Sequence, residues 1–181
     1  GVLHIDASVE ENIKNLAQYR KKQIDEIMVI MLDRERHKED IKKIRSLGAR
    51  VKLISDGDIF GCLATTNFAP QADLYLGMGG APEGVLAACA LKASGGFMMG
   101  KLMFEDKTQE ARALQYGIKN PSKALTLKDM VSENCLFAIS GVTDGDFVKG
   151  VKREGGFYKV ETMIFKYIEG KSSISKIIDC I

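Results

Sequence analysis

The sequence has no Cys-x-x-Cys pair, only two histidines and almost no charge imbalance, and each lack closes off a class of function. Zinc sites need clustered thiolates or imidazoles. Cys62, Cys89, Cys135 and Cys180 are instead scattered along the chain, without flanking histidines. Three of them sit in apolar surroundings, as reduced thiols do in a cytosolic fold. The formal net charge is +2, with acidic residues interleaved among the lysines, so no long-range field points to nucleic acid or a membrane as partner. The basic block Tyr19-Arg20-Lys21-Lys22 reads as a solvated helix end. No apolar run approaches membrane-spanning length and no cleavable signal opens the sequence, so a cytoplasmic protein is expected. The glycine-rich segment has neither a following Gly-Lys-Ser nor Gly-x-Gly-x-x-Gly spacing, which disfavours a nucleotide-binding α/β domain.

What is present is an ordinary globular composition, 45% apolar and 28% charged over 181 residues, enough for one domain with a sizeable core. We read residues 1–181 as a single domain without internal repeats, low-complexity tracts or a linker. Residues 10–22 place Ile13, Leu16, Ala17 and Arg20 on one helical face behind a Ser8 N-cap. The apolar run 26–32 has the length and branched residues of a strand buried on both faces, as in a parallel sheet. Helical spacing returns over 36–47 and stops at Gly48, and a second buried-type strand follows over 50–54. A helix is predicted over 59–68, a strand over 73–78 and an apolar helix over 81–94. Strands alternating with helices predict a right-handed parallel layout. Beyond it we expect strands over 97–104, 134–140, 157–167 and 173–178, a helix over 107–117, and a hairpin turn at Gly155-Gly156. The fold class is thus α/β: a largely parallel sheet with flanking helices plus an antiparallel C-terminal addition.

Ligands of open parallel sheets bind outside the carboxyl ends of the strands. Three such ends carry suitable chemistry. After Leu32 comes Asp33-Arg34-Glu35-Arg36-His37, where two guanidinium forks could grip one phosphate, or could simply open a charged helix facing water. After Ile54 comes Ser55-Asp56-Gly57-Asp58, whose carboxylates could accept sugar hydroxyls or a divalent cation, or cap a helix. The third is Gly77-Met78-Gly79-Gly80-Ala81-Pro82-Glu83-Gly84, where glycines admit a ligand to the backbone and Glu83 lies in the first helical turn. Pro82 suits that helix start, and Glu83 could also merely offset the helix dipole. The later Thr143-Asp144-Gly145-Asp146 is most economically a turn. Together the three strand ends point to a phosphorylated, polyhydroxylated ligand and a hard divalent cation.

These runs, in this order across nearly the whole chain, resemble class II fructose-1,6-bisphosphatases of the GlpX type, and Ser140-Gly141-Val142-Thr143-Asp144-Gly145-Asp146 fits the same pattern. The resemblance implies the sugar-phosphatase fold shared with inositol monophosphatases, and metal-dependent hydrolysis of fructose 1,6-bisphosphate to fructose 6-phosphate, a gluconeogenic step. It implies that Arg34, Glu35 and Arg36 bind the phosphate that is not cleaved. Asp56, Gly57 and Asp58 would hold sugar hydroxyls, Gly80 would contact substrate through its backbone, and Glu83 would bind Mg2+ or Mn2+. It assigns no catalytic residue here. The family's other metal-binding carboxylates lie in an amino-terminal half that nothing in this sequence resembles. The chain is therefore expected to be the substrate-binding, carboxy-terminal half, inactive alone, with the missing half and the sugar bisphosphate as its partners and self-association favoured by the face left open. A non-catalytic sugar-phosphate-binding or structural remnant is the alternative, and sedoheptulose 1,7-bisphosphate is a second possible substrate.

Overall fold

The computed structural model describes residues 2–181. Helix α1 (Val9–Arg20) is capped by the Ser8 hydroxyl, which accepts from the Glu11 amide at 3.1 Å. Strand β1 (Met28–Leu32) follows a 3₁₀ turn and leads through a second one, Glu35–His37, into α2 (Lys38–Ser46). Strand β2 (Arg50–Ile54), α3 (Asp58–Leu63), β3 (Leu74–Tyr75) and α4 (Ala81–Ala93) complete the first half. β1 lies between β2 and β3 and pairs in parallel with both, Val29 standing opposite Val51 and Leu74.

The alternation of a strand decides which layer each β1 side chain enters. Val29 and Met31 pack with Ile13 and Leu16 of α1 and Ile41 and Ile44 of α2. Ile30 points the other way, toward α3, close to Gly61. The sheet is thus filled on both sides, as the uninterrupted apolar run of β1 requires.

The second half contains β4 (Met99–Gly100), α5 (Lys107–Gln115), β5 (Leu125–Thr126), α6 (Leu127–Met130) and β6 (Cys135–Ser140). β7 (Lys152–Glu154), β8 (Phe157–Ile168) and β9 (Lys171–Cys180) follow. β8 is the spine of an antiparallel sheet, with β6 and β7 along one edge and β9 along the other. Its inner face carries Phe137, Met163 and Phe165 against Leu63 of α3 and Ala90 and Ala93 of α4. The layers therefore run helix, parallel sheet, helix, antiparallel sheet. An aromatic chain stitches the last two together: Phe60 to Phe147 at 5.1 Å, Phe147 to Phe68 at 5.5 Å, and Phe68 edge-on to Phe165 at 5.3 Å. The segment 141–150 that delivers Phe147 closes through the Asp144 carboxylate, which accepts from the Gly150 amide at 2.9 Å, as the turn reading of that motif anticipated.

Several expectations need correction. Arg50–Ile54 is not a buried strand; it is the outer strand of the sheet, and Arg50, Lys52 and Leu53 are exposed. Arg20 is exposed rather than on the buried face of α1. The helix expected over 59–68 ends at Leu63, where the Thr65 and Thr66 hydroxyls take the Cys62 and Leu63 carbonyls, both at 2.7 Å, and turn the chain away. The strands expected over 73–78 and 97–104 shrink to two paired residues each. The hairpin at Gly155-Gly156 is present, with φ of +60° and +121°, and a second turns through Glu169 and Gly170.

Phe165 joins the aromatic chain to the packed helices and is fully buried. Phe165→Ala should lower unfolding free energy by about 3–5 kcal/mol, read as a lower urea midpoint. An unchanged midpoint would contradict this view of the core.

Candidate active site

The ladder between β1 and β2 runs one step past Leu32, with the Asp33 amide donating to the Ile54 carbonyl at 2.9 Å, and then the chain turns. The two arginines of that turn behave differently. Arg34 donates only to its neighbouring Asp33 carbonyl, at 3.0 Å, and is otherwise open to solvent. Arg36 grips the Met78 carbonyl with Nε at 2.9 Å and Nη2 at 2.6 Å. Glu35 faces outward, paired with Lys38 at 2.6 Å. His37 is buried and spans the same gap. Its Nε2 accepts the Met78 amide at 3.0 Å, so Nδ1 carries the proton and donates to the Leu32 carbonyl, also at 3.0 Å.

After β2, Asp56 folds its carboxylate onto the Gly57 amide at 2.8 Å. Gly57 has φ of +94°, a conformation that strains any residue with a Cβ, and from it α3 starts without a side-chain cap. The helix-capping alternative for these aspartates is therefore not what the fold uses. Asp58 instead receives the Tyr75 hydroxyl on Oδ1. Burial, then the hydrogen bond and negative charge of Asp58, push the Tyr75 phenol above its ordinary pKa, with the Arg36 charge opposing them. The ring fits because positions 61 and 77 are glycines. A Cβ at Gly61 would overlap the ring, and one at Gly77 would lie 2.9 Å from the hydroxyl.

The other Asp58 oxygen faces the glycine loop, 3.9 Å from where a Cβ at Gly79 would stand. Gly80 is the N-cap of α4, with Pro82 in its first turn. The Glu83 carboxylate folds back over Gly80 so closely that a Cβ there would collide with it. Arg36, Asp58 and Glu83 are thus gathered on the backbone of residues 78–80. Arg34 and Asp56 stand at the same sheet edge with their outer atoms free, while Glu35 is drawn off to Lys38. The edge is open rather than an enclosed cleft; two hollows in the surface lie elsewhere, beside Tyr19 and between Lys149 and Lys159.

A hard divalent cation takes about six oxygens. Among the described residues no group of three or more His, Cys, Asp or Glu side chains is placed to hold one. These residues do not form a cation site by themselves; Glu83 can offer one carboxylate to it. No helix among them is long and apolar enough to cross a membrane.

The profile of the family described as bacterial fructose-1,6-bisphosphatase, glpX-encoded, matches residues 1–179. The chain belongs to this family. Similar curated proteins are each named D-fructose 1,6-bisphosphatase class 2/sedoheptulose 1,7-bisphosphatase. One from Synechococcus sp. is 35% identical over 194 aligned positions, covering all of this chain and 55% of the relative. One from Gloeobacter violaceus is 34% identical over the same length and shares. The chain therefore spans about half the length of the curated relatives it matches.

Sequence reasoning overlooked two residues of this glpX-family site, Tyr75 and His37. Tyr75 is the one polar side chain at the end of an apolar strand beside a glycine, which was a usable signal. His37 stood inside the arginine run and drew no role of its own. His37→Ala should cost about 2–4 kcal/mol, because it strips two backbone groups of their partner. The Met78 amide should exchange faster with deuterium in the variant, and protection unchanged from the parent would contradict the bridging role.

Proposed function

We propose that this chain is the substrate-binding part of a divalent-metal-dependent hydrolase that releases phosphate from fructose 1,6-bisphosphate. The observation that carries the reading is the meeting of Arg36, Asp58 and Glu83 on the 78–80 backbone in a member of the glpX family. Arg34, whose guanidinium is open to solvent, takes the phosphate that is kept, with the unused Nη1 of Arg36 beside it. Asp58 accepts a sugar hydroxyl on the oxygen that Tyr75 leaves free, and Asp56 accepts another. Amides at the start of α4 meet the ligand through the Gly79–Gly80 backbone. Glu35 acts through its backbone, since its side chain is held by Lys38.

The cation, Mg2+ or Mn2+, lies on the Glu83 side in this reading and takes its other ligands from the portion of the enzyme that this chain does not span. It supplies charge neutralisation of the phosphate that leaves. Sedoheptulose 1,7-bisphosphate is a second substrate on this reading, because the relatives' names carry both sugars and hydroxyl-accepting carboxylates do not measure sugar length.

The test is phosphate release from fructose 1,6-bisphosphate with Mn2+, by the chain alone and by the chain co-expressed with the remaining part of the Synechococcus relative. No release alone, release in the complex, and its loss in Glu83→Ala are expected. A complex that binds bisphosphate in calorimetry yet never releases phosphate would instead make the chain a non-catalytic binding module. Absence of binding would leave a structural role.

A further inference from the structure

Helix α4 has no polar face. Over Ala81–Ala93 only Glu83 and Lys92 interrupt apolar and small residues, and a helix that is apolar all round is built to be buried all round. In this chain it is covered on part of its circumference. Ala87 and Leu91 pack beside Cys62 of α3, and Ala90 and Ala93 pack on the antiparallel sheet. Leu86 shares the stripe of Ala90 and Ala93, one turn earlier, yet is 47% exposed, and neighbouring Val85 is 49% exposed. The sheet beneath is also bare at its edge. Ile174 and Ile178 of β9 stand opposite Phe165 and Glu161, so they share the face that carries Phe165 into the core. Both are exposed all the same, Ile178 by 53%. α4 touches β9, so helix and strand together present an apolar surface, and the first turn of that helix carries Glu83.

We propose that this α4–β9 surface is the docking face for the part of the class 2 bisphosphatases that lies beyond the segment matched here. Docking there brings that part's oxygen ligands to Glu83. The inference rests on the bisphosphatase reading, since only that reading asks Glu83 to meet a cation. Two observations select this occupant. The chain covers 55% of the Synechococcus relative, so a polypeptide of comparable size has to pack somewhere on this fold. Glu83 also lacks companion ligands among the described residues, and a layer laid over Val85 and Leu86 ends beside it. A second copy of this chain would cover the apolar side chains but bring only another Glu83 without companions.

The experiment places Asp at Val85, Leu86 and Ile178 in turn, both in this chain and at the aligned positions of the intact Synechococcus relative. Thermal unfolding and sedimentation are then measured for every protein. In this chain the melting temperature should move by less than about 2 °C, the usual size for a surface change. In the intact relative it should fall by about 10 °C, as when an unpaired charge is forced into a buried interface. Small shifts in both would overturn the proposal, because the surface would then be open in the longer protein too. Large falls in both would overturn it by showing the side chains already buried here. A chain that sediments as a dimer and becomes monomeric with Leu86→Asp would replace the proposed occupant with a second copy. None of these readouts involves turnover. An intact relative that melts as expected yet releases no phosphate would therefore sink the functional reading separately.

Discussion

Two backbone groups at neighbouring strand ends, the Leu32 carbonyl and the Met78 amide, are both satisfied by one buried imidazole. Their separation fixes how the glycine loop after β3 lies against the turn after β1, and His37 fills that gap to hydrogen-bond distance on both sides. Arg36, one residue earlier, adds a forked grip on the Met78 carbonyl. With both groups of Met78 held, Gly79 and Gly80 cannot drift. Asp58 and Glu83 then meet them from two different helices. An unpaired buried amide or carbonyl costs about 1–3 kcal/mol, so this tie constrains the loop strongly.

The layers behind the site explain why it can be so open. β1 is filled on both faces by helices, and α3 and α4 are held between the two sheets. The aromatic chain through Phe147 and Phe68 anchors the start of α3, and with it Asp58, to the antiparallel sheet. Rigidity is therefore supplied from below, while the ligand side carries exposed arginine and carboxylate groups. Tyr75 adds a local restraint, a ring accepted by two glycines that turns Asp58 so one oxygen stays available.

Much of this was legible in the sequence because it follows short-range rules. The β1 run, the Ser8 cap, the Gly48 stop and the Gly155-Gly156 hairpin each rest on a few adjacent residues, and each formed as read. Elements whose limits depend on tertiary partners were misjudged. β2 looks buried in sequence, but sheet order leaves it outermost. The strands over 73–78 and 97–104 have apolar residues enough, yet only two residues in each find a ladder partner. In the site, charged residue types at strand ends were visible in advance. The long-range pairings were not, because Tyr75 with Asp58 and His37 with Met78 join residues far apart in the chain.

The central claim is that residues 78–80, held by Arg36 and His37, form the floor on which a sugar bisphosphate rests. The most direct test is a titration of the isotopically labelled chain with fructose 1,6-bisphosphate, following backbone amide resonances. The account predicts saturable shifts at Gly57, Gly79 and Gly80 and at the Arg34 and Arg36 side chains, with Gly145 unmoved in its separate loop. Shifts confined to the lysine-lined hollow at Lys149, Lys152 and Lys159, with residues 78–80 silent, would contradict it.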